Sequence, residues 1–255
     1  SSIGIYLASS SNNALSYNTG TSNSSIGIYL ASSSNNTLSY NTGTSNSSAA
    51  IRIFKGANNT LIGNNATGFL TGSYGLYIKN DTGTTIKDCV DIRGVAYDVY
   101  IDSDASTNII ILNCSYNLSK ESVNGAGNIL TRKWYYQAYV NDTNGDNISG
   151  ANITAYNNTG IYNFNLTTNN TGYTQLGEII DYTNKGGTRS YYSLYNIYAI
   201  KSNYTRLNHS WNATLQQNNR DAFIFSFDTI APALSIIYPA NATYNVNVSN
   251  LNYTS

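Results

Sequence analysis

Hydrophobic and polar residues alternate at the start of a unit that occurs twice without a spacer. Residues 1–23 read SSIGIYLASSSNNALSYNTGTSN, and residues 24–46 repeat them with one change, Thr37 in place of Ala14. The segment IGIYL has period 2, which is typical of a strand with one buried face, and a second short apolar piece follows a polar turn. Two or three short strands in each unit predict one coil of a parallel β-helix.

The unit continues in degraded form through residues 47–69, 74–89 and 97–114. We therefore predict about five coils in a single right-handed winding, with like side chains stacked about 4.8 Å apart. The two predicted inward columns are Ile5, Ile28, Ile51, Leu76 and Val99, and Leu7, Leu30, Ile53, Ile78 and Ile101. The predicted outward row is Tyr6, Tyr29, Arg52, Tyr77 and Tyr100. Asn13, Asn36 and Asn59 are expected to form a ladder of side-chain amides at an inside turn.

The 23-residue period ends before residue 129, and longer strands separated by Asn/Gly turns follow. We predict a β-helix over 1–128 and an antiparallel Ig/transthyretin-like β-sandwich over 129–228, so that the fold class is all-β. Seven strands are predicted at Trp134–Val140, Ala151–Tyr156, Tyr162–Leu166, Thr174–Tyr182, Tyr191–Lys201, Thr205–Leu215 and Ala222–Phe227.

The stretch WYYQAYVNDTNGDNISGANITAYNNTGIYNFNLTTNNTGYTQ resembles the opening of a transthyretin-like sandwich of the carboxypeptidase-regulatory type. YNIYAIKSNYTRLN resembles a later element of the same domain. Together with the preceding coils, residues 1–228 resemble archaeal or bacterial surface proteins that combine a parallel β-helix with such sandwiches. The shared motifs are structural, so the resemblance implies a fold and a surface location and no activity.

The last stretch, DTIAPALSIIYPANATYN, is similar to the first strand of a bacterial Ig-like domain. Residues 229–255 are too few to close a sandwich. They are expected either to be the start of a domain cut short or to complete their fold by exchanging a strand with another molecule.

Composition argues against a nucleic-acid-binding protein and against a membrane span. The formal net charge is zero and only 10% of residues are charged, with no basic run that would indicate nucleic acid. The longest aliphatic run, Ile109–Leu112, is far shorter than the roughly 20 residues of a membrane span. Because the sequence shows neither an initiator Met nor a signal peptide, we expect a mature or excised fragment.

Acceptor triplets for N-linked glycan, Asn-x-Ser/Thr, occur about twice as often as this composition would give by chance. They predict a glycosylated, extracellular protein, although tandem duplication alone would multiply a few accidental sites. The acceptors are Asn23, Asn35, Asn46, Asn58, Asn65, Asn80, Asn113, Asn117, Asn141, Asn147, Asn152, Asn157, Asn165, Asn169, Asn203, Asn208, Asn212, Asn241, Asn247 and Asn252.

The only two cysteines, Cys89 and Cys114, close the matching segments IKDC and ILNC. In adjacent coils they would lie one above the other, at a Cα separation that a disulfide accepts. An exported protein favours the disulfide, and two buried free thiols are the alternative.

Acidic residues offer only weak candidates for chemistry. In the predicted register Asp102 stacks on Lys79, and Asp104 stacks on Asp81. Such a carboxylate pair would suit a structural Ca²⁺ or a retaining glycosidase, and two solvated turn residues are the simpler interpretation. Residues 142–147 imitate the start of a calcium loop but are expected to form a hairpin turn. His209 has no Cys, Asp or Glu within five residues and is expected to be an ordinary strand residue.

The predicted tyrosine row, Tyr6, Tyr29, Tyr77 and Tyr100, is the best binding candidate because aromatic faces pack on sugar rings and on proteins. We expect a non-enzymatic subunit of a surface layer, sheath, filament or adhesin, which self-assembles and needs no cofactor. One alternative is a carbohydrate-binding module that holds a polysaccharide on the row. A second is a polysaccharide lyase or hydrolase, which only the analogy of fold supports.

Overall fold

The computed structural model describes residues 2–227, together with the backbones of two short strands, 235–238 and 252–254. The first half of the chain is a parallel β-solenoid of six coils, one more than the sequence predicts. Its strands are β1 (Ile5–Ala8), β2 (Ala14–Ser16), β3 (Thr19–Ser22), β4 (Ile28–Ala31), β5 (Thr37–Ser39), β6 (Thr42–Ser45), β7 (Ala49–Phe54), β8 (Thr60–Ile62), β9 (Asn65–Gly68), β10 (Tyr74–Lys79), β11 (Thr85–Lys87), β12 (Asp91–Arg93), β13 (Tyr97–Ile101), β14 (Ile109–Leu112) and β15 (Glu121–Val123). A 3-10 helix, Leu118–Lys120, precedes β15.

The coils stack their strands into three parallel sheets. The first face is β1-β4-β7-β10-β13-β15, the second is β2-β5-β8-β11-β14, and the third is β3-β6-β9-β12. On the first face Ile28 pairs with Ile51, and both predicted inward columns and the outward row keep their register through the first five coils. The sequence-based register is therefore confirmed, and the inward columns line one side of a hydrophobic core.

Residues in the left-handed conformation recur at the corners of the coils. Asn and Gly tolerate this conformation better than other residues, which explains the first of two such columns, where each member is Asn or Gly. One column, at φ from 53° to 74°, is Asn12, Asn35, Asn58, Gly83 and Asn108. A second column, at φ from 54° to 63°, is Tyr17, Tyr40, Gly63, Asp88 and Asn113.

Two ladders of asparagine side chains lie just inside these corners. The predicted ladder is confirmed, because Asn13 Nδ2 donates to Asn36 Oδ1 and Asn36 Nδ2 donates to Asn59 Oδ1, each at 3.1 Å. A second ladder, formed by Asn18, Asn41 and Asn64, is not among the sequence-based predictions. Each ladder satisfies polar groups that would otherwise be buried without partners.

A long strand joins the solenoid to the C-terminal part of the chain. The strand is β16 (Ile129–Asp142), which pairs in parallel with β14 and therefore extends the second face. The remaining strands are β17 (Asn152–Tyr156), β18 (Tyr162–Thr167), β19 (Gly177–Lys185), β20 (Thr188–Tyr191), β21 (Tyr195–Ile200), β22 (Leu207–Trp211), β23 (Arg220–Phe225), β24 (Ser235–Tyr238) and β25 (Asn252–Thr254).

The C-terminal part consists of two sheets around a second hydrophobic core. One sheet continues from β16 into β19 and β20, with β23 on β16, and the other is β18-β17-β21-β22. The seven predicted strands are all present with shifted ends, and β20 is additional. The prediction of a wholly antiparallel sandwich is wrong in one respect, because β23 pairs with β16 in parallel.

The predicted start of an Ig-like domain, 229–255, lies outside the described residues except for β24 and β25. These two strands pair with each other in an antiparallel manner.

Candidate binding face of the solenoid

A strip of stacked side chains runs along the outer side of the first face, and we call it the tyrosine strip. It consists of Tyr6, Tyr29, Arg52, Tyr77 and Tyr100, one from each of the first five coils. The ring centroids of Tyr6 and Tyr29 lie 5.2 Å apart, as do those of Tyr77 and Tyr100. The Arg52 guanidinium carbon lies 5.3 Å from the Tyr29 centroid and 4.7 Å from the Tyr77 centroid. The cation therefore contacts an aromatic ring on either side.

The strip does not present free ring faces, in contrast to the sequence-based expectation. The planes of Tyr6 and Tyr29 differ by only 18° at their 5.2 Å separation, which is an offset stack. Each ring face inside the strip is therefore covered by the neighbouring coil, and mainly ring edges remain accessible. Tyr6, at the first coil, is the most exposed member at 54%. Because a sugar packs on a ring face, this stacking reduces the surface available for sugar binding.

Charged side chains lie beside the strip at the fourth and fifth coils. Lys79 Nζ lies 3.0 Å from Asp102 Oδ2, as the predicted stack requires, and 3.5 Å from Asp104 Oδ2. The Tyr77 hydroxyl donates to Asp102 Oδ2 at 2.5 Å. This hydrogen bond is the main reason that the pKa of Asp102 is lowered to about 2, and Lys79 adds to the effect. Asp102 therefore remains ionised beside the strip.

The predicted pair of Asp81 and Asp104 is wrong. The fifth coil carries two extra residues after Asp102, so that Thr82 pairs with Thr107 and the Asp81 N–H donates to Ser106 Oγ. Asp81 is fully buried, whereas the Asp104 side chain is 52% exposed. The carboxylates therefore do not form the stacked pair proposed for Ca²⁺ or for glycoside hydrolysis. Within the described part of the chain, no group of three or more His, Cys, Asp or Glu could hold a metal ion.

The structure joins Cys89 and Cys114 by a disulfide, with their Cα atoms 4.9 Å apart. The two cysteines continue the column of the second asparagine ladder, because Lys87 pairs with Ile62 below it and with Leu112 above it. The bridge therefore links the fourth and fifth coils where the ladder of amides ends.

Residues 142–147 form the expected hairpin turn, in which Asp142 Oδ1 accepts hydrogen bonds from the backbone N–H groups of Asn144 and Asp146. A calcium ion would compete with these donors for the same oxygen.

His209 is not an isolated strand residue, because its Nδ1 lies 2.8 Å from Asp221 Oδ1. The other oxygen of Asp221 accepts from the Tyr136 hydroxyl at 2.7 Å, and the His209 ring stacks on Phe223. Asp221 lies twelve residues from His209 and on another strand, so the sequence around His209 gives no sign of this pair. The pair joins the two C-terminal sheets at one edge.

The described glycan acceptors differ in accessibility. The exposed ones are Asn23, Asn35, Asn58, Asn80, Asn117, Asn147, Asn152, Asn165, Asn169, Asn203 and Asn208. Those of intermediate exposure are Asn46, Asn65, Asn113, Asn141 and Asn212. Asn157 is buried, and its Oδ1 accepts hydrogen bonds from Thr159 and Ile161. A glycan on Asn157 does not fit this position. Asn241 and Asn247 lie outside the described residues, and Asn252 is described only in its backbone.

Comparison with protein families finds one match. Residues 1–88 are similar to the family described as periplasmic copper-binding protein (NosD). No curated protein matches the chain. The match covers about a third of the sequence, all of it within the solenoid, and agrees with a parallel β-solenoid.

The matched residues do not fit a copper site. Copper is held mainly by His, Cys and Met side chains, and residues 1–88 contain none of these. The single His of the chain, His209, lies in the C-terminal part and is hydrogen-bonded to Asp221.

In the part of the chain that is described, no helix is long and apolar enough to cross a membrane.

Proposed function

We propose that this chain is a non-enzymatic extracellular structural protein, a glycosylated subunit that assembles with copies of itself into a layer, sheath, filament or adhesin of the cell surface. The observation that carries the proposal is the identity of side chains above one another in the first two coils. In both asparagine ladders and in the tyrosine strip, like residues of successive coils bind one another and hold the coils together. A catalytic site would instead need different groups at different places.

Three observations support an extracellular location. The disulfide between Cys89 and Cys114 suits an oxidising compartment. Most described acceptor asparagines are at least partly exposed. The family that residues 1–88 resemble is described as periplasmic. In this proposal the coils provide a stiff rod, and the C-terminal sheets act as a spacer of the transthyretin-like type found in archaeal and bacterial surface proteins.

A carbohydrate-binding module remains the second candidate, and exposed tyrosines favour it. Tyr17 and Tyr40 form another stacked pair at a corner, with centroids 5.3 Å apart, and are 77% and 51% exposed. These two tyrosines lie outside the predicted tyrosine row. Loss of glycan-array binding on Tyr17→Ala and Tyr29→Ala would favour this candidate over the structural one.

Electron microscopy of the purified chain tests the proposal directly. Ordered polymers or sheets, which appear as the protein concentration is raised, are the expected result. Glycopeptide mapping of protein from its native source should find glycan at exposed acceptors such as Asn35 and Asn58 and none at Asn157. A chain that stays monomeric at every concentration and carries no glycan would contradict the proposal.

A further inference from the structure

The last coil of the solenoid is already covered by the same chain. The second face continues from β14 into β16 and then β19, so its edge is paired. Tyr182 of β19 is fully buried within the solenoid core and closes its end. The buried carboxylate of Glu121 on β15 accepts hydrogen bonds from Asn184 and Arg189. Because the second-face edge is paired and the core is closed, another copy cannot continue the solenoid at this end, and the lateral faces become the candidates for assembly.

The three faces differ in what they offer to a partner. The third face carries an acceptor for glycan, Asn65, on strand β9. The second face presents mainly small or polar side chains, such as Thr37 and Ser39. The first face contains no acceptor within its strands and presents Tyr and Arg, the residue types enriched in protein interfaces. The acceptors near this face along the chain, such as the exposed Asn80 directly after β10, lie in turns and not in its strands.

Charge changes sign along the tyrosine strip. The third coil carries Arg52 and Lys55, and Arg52 Nε is buried without a hydrogen-bond partner among the described residues. At the fifth coil Asp102 and Asp104 share one cation, Lys79, so a negative charge remains. Tyr77 lies midway, one coil from each charged rung.

These observations decide between the two symmetric ways of packing identical faces. With parallel solenoids each coil faces its own equivalent, so that Arg52 would meet Arg52 and acid would meet acid. With antiparallel solenoids and a two-fold axis at the Tyr77 rung, the third coil of one copy faces the fifth coil of the other. Opposite charges then meet twice, because a two-fold interface repeats every contact.

We infer that the first face is the contact surface for a second copy of this chain, which packs face to face with its solenoid antiparallel. Tyr77 lies on the two-fold axis against its equivalent, and the third coil of each copy, with Arg52 and Lys55, faces the fifth coil of the other, with Asp102 and Asp104. The inference rests on the proposed function, since it names the partner and the surface of that self-assembly.

Sedimentation velocity over a range of concentrations tests the charge pairing. Arg52→Glu and Asp104→Arg should each weaken association at least tenfold, because each places like charges opposite one another. The double variant should recover most of the lost affinity. Thr44→Glu, on the third face, is the matched control and should associate like the wild type. Circular dichroism checks that every variant keeps its β structure.

Cross-linking tests the position of the axis. Tyr77→Cys should give a covalent dimer with a short bismaleimide, because the residue faces its own equivalent, whereas Thr44→Cys should stay monomeric. A wild type that assembles while Arg52→Glu and Asp104→Arg assemble equally well would overturn this inference alone. A wild type that is monomeric at every concentration would overturn the proposed function as well.

Discussion

The side-chain amide of Asn41 donates to Oδ1 of Asn64 one coil further along, at 3.2 Å, and the backbone N–H of Asn41 donates to the same oxygen at 2.8 Å. Asn41 in turn accepts from the N–H and side-chain amide of Asn18 and donates to the carbonyl of Leu15. One buried side chain thus connects three successive coils.

Asn41→Ala should therefore lower the free energy of unfolding by at least roughly 2 kcal/mol, since several buried polar groups lose their partners together. Urea denaturation followed by circular dichroism measures the change. Asn18→Ala removes the same side chain at an exposed end of the ladder and should cost distinctly less. Equal losses for the two variants would show that the ladder does not act through burial.

The disulfide occupies the same column and should stabilise mainly by restricting the unfolded chain. Its closed loop spans a sequence separation of 25 residues, for which loop-closure entropy is worth roughly 3 kcal/mol. Replacing Cys89 and Cys114 together by Ser should reduce stability by about that amount. Thermal melts with and without a reductant provide the control, because the reductant should destabilise the wild type and leave the double variant unchanged.

Tandem duplication made the inward columns and the first asparagine ladder predictable, because identical residues 23 positions apart fix the register. The same 23-residue spacing gives the wrong register in the fifth coil. Two residues inserted after Asp102 move Asp104 out of line with Asp81, and no local pattern distinguishes an insertion from a mismatched repeat. A single slip of this kind was enough to create an acid pair that the fold does not contain.

Contacts between distant strands could not be predicted from the sequence. His209 and Asp221 meet only because β22 and β23 belong to facing sheets. The orientation of the rings could not be predicted from the sequence either. Alternation predicts that Tyr29 points outward, but it does not predict that Tyr6 and Arg52 cover the faces of its ring. Side-chain direction follows from strand period, whereas side-chain stacking follows from the spacing of the coils.

Asp81 gives a prediction about pH. Its carboxyl group is fully buried above Gly56, where an added Cβ would lie 2.7 Å from Oδ1, and neither oxygen accepts a well-formed hydrogen bond from the described residues. Burial raises the pKa of Asp81, against a smaller opposing effect of Thr84 and Thr82. Above about pH 4 the carboxyl ionises first in the unfolded chain, so stability falls as the pH rises until the folded group also ionises.

Asp81→Asn should remove this loss and raise the free energy of unfolding at pH 7 by on the order of 1 kcal/mol. The advantage should shrink towards pH 3, where both states of the wild type bind the proton. Urea titrations at several pH values measure the difference. Asp104→Asn, which changes an exposed carboxylate, should show no comparable gain, and a gain independent of pH would argue against ionisation as the cause.

Glu121 stabilises the contact between the C-terminal sheet and the last coil of the solenoid. Its carboxylate has no exposed surface and accepts from Tyr116, Tyr182, Asn184 and Arg189. Burial, and then the charge of Glu121, raise the pKa of both tyrosines, so their hydroxyls stay protonated as donors.

Glu121→Gln leaves Arg189 without its carboxylate and should cost roughly 3 kcal/mol, as for other broken buried ion pairs. Hydrogen exchange should rise first in the hairpin of β19 and β20, which these bonds hold against the last coil. Glu178→Gln is the matched control, because Glu178 is half exposed and pairs with Lys133 at the surface, where ion pairs contribute little. If both variants lose equal stability, the buried carboxylate is not what fixes the closed end.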